Sequence, residues 1–386
     1  MTMMEAAAST ALWGSSYLPG TAATLAALVA YMTVVRLLRF RRVRSMKMPE
    51  VDTDPSAVYR KTALFEFPFT VTKALEFSLF RTYGVPSISS LYHKNGQFRL
   101  HAGKRYDDTD LLLKEYSENN PASDRSSMAI ARINAIHAMY SDEISNADML
   151  YTMSLFITEP MTWIDRLEWR CSTDVEKAAF LAHFQEMGDR MGIRGVRKWK
   201  TWGDAKAHQQ AYEAEHYRYQ ECNTELVKQT LDLFLSPLPS LLHSFGRAAV
   251  CVLMDPPLLT AVGLPEAPIV LKWVVNGVFM LRAVALRFFT LPRISPNRRT
   301  PATTGHAGIP ACCPASSSHA KVASNEDLPL PGDADVVRKP LYNQFNDTKL
   351  GCLFYKKGYQ IAKVGTKACP SGRLMRQGVP IYAGKG

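Results

Sequence analysis

The chain has 386 residues, 47% hydrophobic and 21% charged, enough to bury one large core or two modest ones and too apolar to be disordered throughout. Its formal charge of +11 is concentrated: six basic residues and no acid lie in 36–47, ten basic residues accompany Asp347 alone in 338–386, and the remainder carries 30 basic against 34 acidic side chains. A slightly acidic globular part excludes a nucleic-acid groove, which needs a basic surface on the folded domain itself. The seven cysteines (Cys171, Cys222, Cys251, Cys312, Cys313, Cys352 and Cys369) show no CxxC spacing. That pattern suits free thiols in a reducing compartment and removes a zinc ribbon, a thioredoxin-type site and covalent haem attachment.

Residues 6–35 contain no charge, and 20–38 form an apolar run broken only by Arg36 near its end, long enough to cross a bilayer with the arginine snorkelling. Only Glu5 precedes the run, whereas Arg36, Arg39, Arg41, Arg42, Arg44 and Lys47 follow it. A secretory signal has the opposite charge order, and the positive-inside rule places the rest of the chain in the cytosol. Trp13 and Tyr17 stand where interfacial aromatics belong. Residues 1–48 therefore read as a membrane anchor with a basic stop-transfer run.

Residues 51–84 read as helix interrupted at Pro68 and closed by Gly84 and Pro86. Ser123 is a candidate N-cap for a helix over 124–140, in which Ile130, Ile133, His137 and Tyr140 share one face. Further helices are expected over 146–158, over 174–191 with Ser172 capping and Gly192 stopping, and over 204–235, ended by Pro237 and Pro239. No sustained period-two alternation is present, so 49–292 reads as an all-α domain. Residues 269–289 resemble a second span, but Lys272, Asn276, Arg282 and Arg287 interrupt them. An amphipathic helix on the core or on a membrane surface is expected there. The Pro, Ser and Ala content of 293–338 predicts a disordered linker, followed by a basic C-terminal segment over 339–386.

No GxxxxGK[ST], GxGxxG or GxSxG motif is present, so nucleotide and serine-hydrolase chemistry lack their carriers. The loop that would hold a thiolate-bound haem, FxxGxRxC, has only a mis-spaced echo in Phe245, Gly246, Arg247 and Cys251. No HExxH or HxH pair offers a metal cage, and His208 and His216 are two turns apart. His137 remains, with Arg105 and Thr109 some thirty residues upstream. A histidine on an apolar stripe is either a core residue bonded to a carbonyl or a haem ligand. Arg105 and Thr109, four apart, direct a cation and a hydroxyl to one point on a helix, or serve as a surface arginine and a cap.

The stretches LEFSLFRTYGVPSISSLYHKNGQF (75–98), KRYDDTDLLLKEYSENNPASDRSSMAIARINAIHAMY (104–140) and ADMLYTMSLFITEPMTWIDRLEWR (147–170) resemble the fungal ER-bound oxygenases of the MpaB type, from mycophenolic acid biosynthesis. They are also similar to the wider group that contains the latex-clearing rubber oxygenases. The resemblance runs from the anchor to about Pro292, in the order anchor, RTYG, arginine–threonine pair, ARxxxxH helix and EWR, and returns faintly over 349–372. It implies an all-α domain with a globin-like core around non-covalent haem b, preceded by one N-terminal transmembrane helix. It further implies His137 as proximal iron ligand, Arg105 and Thr109 lining the haem pocket, and O2-dependent cleavage of a carbon–carbon double bond in an isoprenoid chain. A prenylated small-molecule substrate and ER membrane lipids are the implied partners.

Rubber-cleaving relatives have a lysine just before the matched threonine, where this chain has Asp108, so the distal side of the iron departs from their pattern. Glu66 and Glu76 do not align with the carboxylate base proposed for those relatives. Arg105 would hold a haem propionate or meet negative charge on oxygen, and the sequence does not choose. A haem- or lipid-tail-binding member without turnover, and an ER-anchored hydrolase or transferase, are the competing functions.

Overall fold

The computed structural model describes residues 3–300 and the short antiparallel pair Thr304–Gly305 and Ile309–Pro310, with side chains described from residue 22 to 300 apart from 97 and 99–101. Apart from that pair, the described elements are helices. They are α1 (Met3–Ser45), α2 (Met48–Thr53), α3 (Pro55–Lys61), α4 (Pro68–Arg81), α5 (Pro86–Asn95), α6 (Gln97–Ser117) and α7 (Asp124–Ala138). There follow α8 (Asn146–Leu167), α9 (Asp174–Arg190), α10 (Trp202–His216), α11 (Glu221–Leu235), α12 (His243–Cys251), α13 (Pro256–Val262) and α14 (Ile269–Phe288).

The domain is organised around α8. From Met153 to Met161 every residue of this helix is buried, because its sequence is apolar on nearly all sides and can be satisfied only by neighbours all round. One side meets α3, α7 and α9 through Tyr59, Ile130, Phe180 and Phe184. The other meets α4, α11 and α13 through Phe77, Phe80, Leu226 and Leu258. The expected end at residue 158 is exceeded because Pro160 is accommodated inside the helix.

Two other boundaries differ from expectation. Ser172 does not cap α9: Thr173 does, its hydroxyl accepting from the Glu176 amide while the Glu176 carboxylate accepts from the Thr173 amide. This reciprocal box satisfies two orphan donors, and Ser172 instead donates to Asp165 at 2.7 Å. The run over 204–235 is two helices. Residues 217–220 leave the helix so that Tyr217 can bury its ring beneath Gly84, where an added Cβ would lie 2.9 Å from the ring, and the Arg218 amide donates to the Gly84 carbonyl at 3.3 Å.

Two described helices are long and apolar enough to cross a membrane, within Ala22–Ser45 and Ile269–Phe288. The first of these, α1, continues into the domain. Val35 is fully buried and Arg39 nearly so, with Arg39 Nε donating to the Thr290 carbonyl at 2.8 Å. Trp13 and Tyr17 lie on α1, but their side chains are outside the described residues.

The expected linker begins later than 293. Amides of Arg299 and Thr300 donate to the Glu118 carboxylate at 2.8–3.1 Å, and Thr300 Oγ1 adds a third donor at 2.8 Å. A buried carboxylate facing these donors holds the chain on the domain through Thr300. Apart from the two-residue pair, the rest of 293–338 and all of 339–386 lie outside the described residues. Cys171, Cys222 and Cys251 are free thiols; the other four cysteines fall outside.

Candidate functional site: a cavity faced by His137, Arg105 and Thr109

Helices α6 and α7 are joined by a short turn and lie against each other, which sets the middle of α6 opposite the end of α7. Ser123 caps α7 as its sequence predicts, accepting from the Ser126 amide. The stripe it starts carries Ile133, Ile136 and His137 into a cavity of about 170 Å³ that is also lined by Arg105 and Thr109 of α6. All three predicted site residues thus meet in one space. Further lining comes from α5 (Tyr92), α8 (Met149, Met153, Phe156) and α9 (Met187, Met191).

His137 is held uncharged. Burial, aided by the nearby Arg105 cation, pulls its pKa down to about 4, since an imidazolium has no solvation there. Its Nδ1 is buried without a hydrogen-bond partner, so the carbonyl bond expected of a core histidine is not made through that nitrogen. His183 is the histidine built into the packing. Its Nδ1 shares a 2.9 Å hydrogen bond with Ser56 Oγ and its ring stacks on Tyr59, with centroids 3.9 Å apart.

Arg105 donates to Thr109 Oγ1, which itself donates to the Arg105 carbonyl at 3.0 Å, and the guanidinium lies 5.9 Å from the Tyr92 ring centroid. The pair therefore acts as one unit, a cation oriented by a hydroxyl and an aromatic face. Asp108 turns elsewhere, pairing with Lys104 at 2.8 Å, and is not among the residues that line this cavity.

Several lining residues escape sequence reasoning. Asp148 reaches the cavity and accepts from Ser87 Oγ, Ser145 Oγ and Tyr212 OH at 2.7–2.8 Å. Three hydroxyl donors let the carboxylate sit inside an apolar wall without a counter-cation. Its only sequence signal is its place three residues after the Ser145 cap, inside a matched stretch. The four methionines are apolar residues of distant helices, and nothing in their spacing marks a site.

A second cavity, about 70 Å³, lies between α4, α6 and α11 and shares Leu79, Tyr92, Arg105, Thr109 and Leu113 with the first. Glu76 and Tyr106 line it, with Glu76 paired to Lys73 at 2.7 Å. Glu66 lines neither described cavity, and burial raises its pKa despite the Arg42 and Arg170 cations beside it.

The motifs that carry the resemblance divide into chemistry and packing. In RTYG, Arg81 is buried and bonds Glu213 at 2.8 Å and Asp255 at 2.9 Å, joining α4 to α10 and the start of α13. In EWR, Glu168 accepts from Arg282 at 3.0 Å and Arg170 pairs with Glu176 at 2.7 Å, joining the end of α8 to α14 and α9. Of these residues, Thr82 of RTYG lines the first cavity, while Arg81 and the EWR residues do not.

The chain is 33% identical over 378 residues to ER-bound oxygenase mpaB' of Penicillium brevicompactum, with 88% of this chain and 86% of that relative covered. It belongs to this family of ER-bound oxygenases. ER-bound oxygenase mpaB of Penicillium roqueforti is 33% identical over 253 residues, covering 59% of this chain and 85% of the relative. The mpaB protein of Penicillium brevicompactum is 33% identical over 234 residues, 54% of this chain and 60% of its own length. No family model matches. A share of 88% does not fit within residues 1–292, so the likeness to the mpaB' oxygenase continues past Pro292, where the resemblance was expected to fade.

Proposed function

We propose that this MpaB-family chain is a membrane-anchored, haem-dependent oxygenase that uses O2 to cleave a carbon–carbon double bond in the prenyl chain of a small substrate. In this proposal α1 crosses the ER membrane once and the helical domain sits in the cytosol. One observation carries it: a half-buried histidine with an inaccessible, unbonded Nδ1 presents its ring to an apolar cavity, with an arginine and a threonine on the same wall.

The chemistry of the lining suits non-covalent haem b, whose entry requires this cavity of about 170 Å³ to widen. His137 offers an unprotonated ring nitrogen, the state in which imidazole ligates iron. Ile133, Ile136 and the methionines supply a dry wall, and the globin-like core implied by the resemblance belongs to the same proposal. Arg105 supplies the positive charge that a propionate, or negative charge building on oxygen, requires. When bound, haem supplies the activation of dioxygen.

The chain's own residues do the rest. Thr109 and Tyr92 hold the Arg105 guanidinium, and the apolar lining excludes water and orders an alkene-bearing chain against the reacting face. The second cavity, about 70 Å³ and sharing Arg105 and Thr109 with the first, marks the direction in which an apolar chain would extend past that pair. Cleavage of the double bond leaves two carbonyl ends.

The test is turnover by the full-length protein in lipid vesicles, with a prenylated aromatic substrate under 18O2. The proposal expects a chain-shortened carbonyl product carrying the label. Turnover without O2 would point to hydrolase or transferase chemistry, and bound haem with no turnover to a haem- or lipid-tail-binding member.

A further inference from the structure

Helix α14 is apolar on both faces. Leu271, Val275, Phe279, Ala283 and Leu286 pack on the core clusters, and Arg282 beside them bonds Glu168 and lies 5.2 Å from the Phe69 ring centroid. The opposite face carries Ile269, Val270, Trp273, Val274, Met280 and Leu281, each 49 to 69% exposed. Surface helices of soluble domains turn a polar face outward, and an apolar stripe of this length is larger than such domains normally leave in water.

We propose that α14 lies in the plane of the membrane interface, with this outer face in the lipid, as a second membrane contact beside α1. Length and composition alone would let α14 span a bilayer. Its two ends forbid that, because both return to the same body. Ala267, just before the helix, is buried in the core. Beyond it, the carbonyls of Thr290 and Arg293 accept from Arg39 and Arg42 at 2.8 and 2.6 Å, and the Asn297 amide donates to the Leu64 carbonyl at 2.9 Å. A helix anchored at both ends to one side can lie on a bilayer but cannot cross it.

Two observations select lipid as the occupant. The face is continuous with α1: Tyr31 OH of the anchor donates to the Phe289 carbonyl at 2.9 Å, so the anchor leaves the domain beside the end of α14. The neighbouring α12, in contact with α14, adds Phe245, 54% exposed. The charge pattern also suits headgroups. Arg36, Arg41, Arg44, Lys47 and Arg293, in and just after the last part of α1 and just beyond α14, are exposed basic side chains. Anionic headgroups attract such a rim, whereas a second copy would bring like charges together.

The proposal rests on membrane attachment and is independent of the oxygen chemistry. The experiment uses full-length protein in vesicles of phosphatidylcholine and phosphatidylserine, with and without dibromo-phosphatidylcholine, comparing wild type, Trp273→Phe and the double variant Val274→Glu/Leu281→Glu. The fluorescence that disappears in Trp273→Phe isolates Trp273. We expect that component to be quenched by brominated lipid and shielded from aqueous iodide. In the double variant, still held in the vesicle by α1, it should lose lipid quenching and gain iodide quenching. Iodide quenching in the wild type would place the face in water, and shielding from both quenchers would place it against a second copy. Lipid quenching that survives the double substitution would show that these side chains do not hold the helix in the bilayer. Each of those results overturns the proposal. Failure of the wild type to float with vesicles would overturn it together with membrane attachment, while O2-dependent turnover would be judged separately.

Discussion

Two histidines, one buried and one half-buried, show how environment divides one residue type into two roles. His183 and His137 are both pushed well below the ordinary imidazole value by burial, to about 3 and about 4. His183 is locked by Ser56 and stacked on Tyr59, whereas His137 looks into a cavity with Nδ1 unbonded. Periodicity put His137 on an apolar stripe, but no sequence pattern distinguishes a packed imidazole from one left open to a ligand. That difference comes from α8 and α9, whose methionines shape the space in front of it. His183 titrates near 6.5 when unfolded and near 3 when folded, so the unfolded chain binds the extra proton between those values. Stability should fall as pH drops below 6.5 and level off below 3. Between pH 7 and 5 this one group should remove about 2 kcal/mol. Denaturant unfolding in detergent micelles should show that loss in wild type and a correspondingly flatter profile in His183→Gln. Identical pH profiles would contradict the assignment.

Among the elements, breaks made by proline or glycine were legible and breaks made by tertiary demand were not. Pro68 interrupts the first run as expected and Ser123 caps α7, while Pro86, expected only to close a helix, also begins α5. Residues 217–220 carry no breaker, and the chain leaves the helix there because Tyr217 is required under Gly84. The family motifs are partly structural for the same reason: RTYG and EWR hold helix ends together through buried ion pairs, and breaking such a pair costs about 3–5 kcal/mol. The polar, proline-rich composition of 293–338 does not reveal that Glu118 captures Arg299 and Thr300 near its start. Glu118→Ala removes the acceptor of two amides and a hydroxyl, a loss of about 2–4 kcal/mol in the docking of this segment. Hydrogen exchange at Arg299 and Thr300 should speed up, and trypsin should cut after Arg298 or Arg299 before the domain unfolds. Unchanged protection would show that other contacts hold the segment.

At the scale of the molecule, sequence and structure agree on an all-α domain that follows an apolar N-terminal helix. They agree because helix periodicity survives in nearly every segment of a chain whose core is a single central helix wrapped by others. The site was legible as far as two sequence-adjacent helices could take it: α6 and α7 carry Arg105, Thr109 and His137 close together in the chain, and folding them against each other suffices to join them. The remaining wall comes from α5, α8 and α9, and its apolar residues look like any other core. The structure also alters how the protein should be handled. Val35, Arg39 and Met46 pack on the domain, so removing the N-terminal 48 residues would strip part of the fold along with the apolar helix.

The central claim, that His137 holds a haem in this cavity, is tested most directly by the visible absorption spectrum of the full-length protein in detergent or nanodiscs. The comparison is with His137→Ala, both supplied with haem. A Soret band in the wild type that shifts or disappears in the variant, with helical circular dichroism unchanged, is the predicted result. A wild type that takes up no haem, or a band indifferent to His137→Ala, would contradict the account and leave His137 lining a cavity for some other apolar ligand.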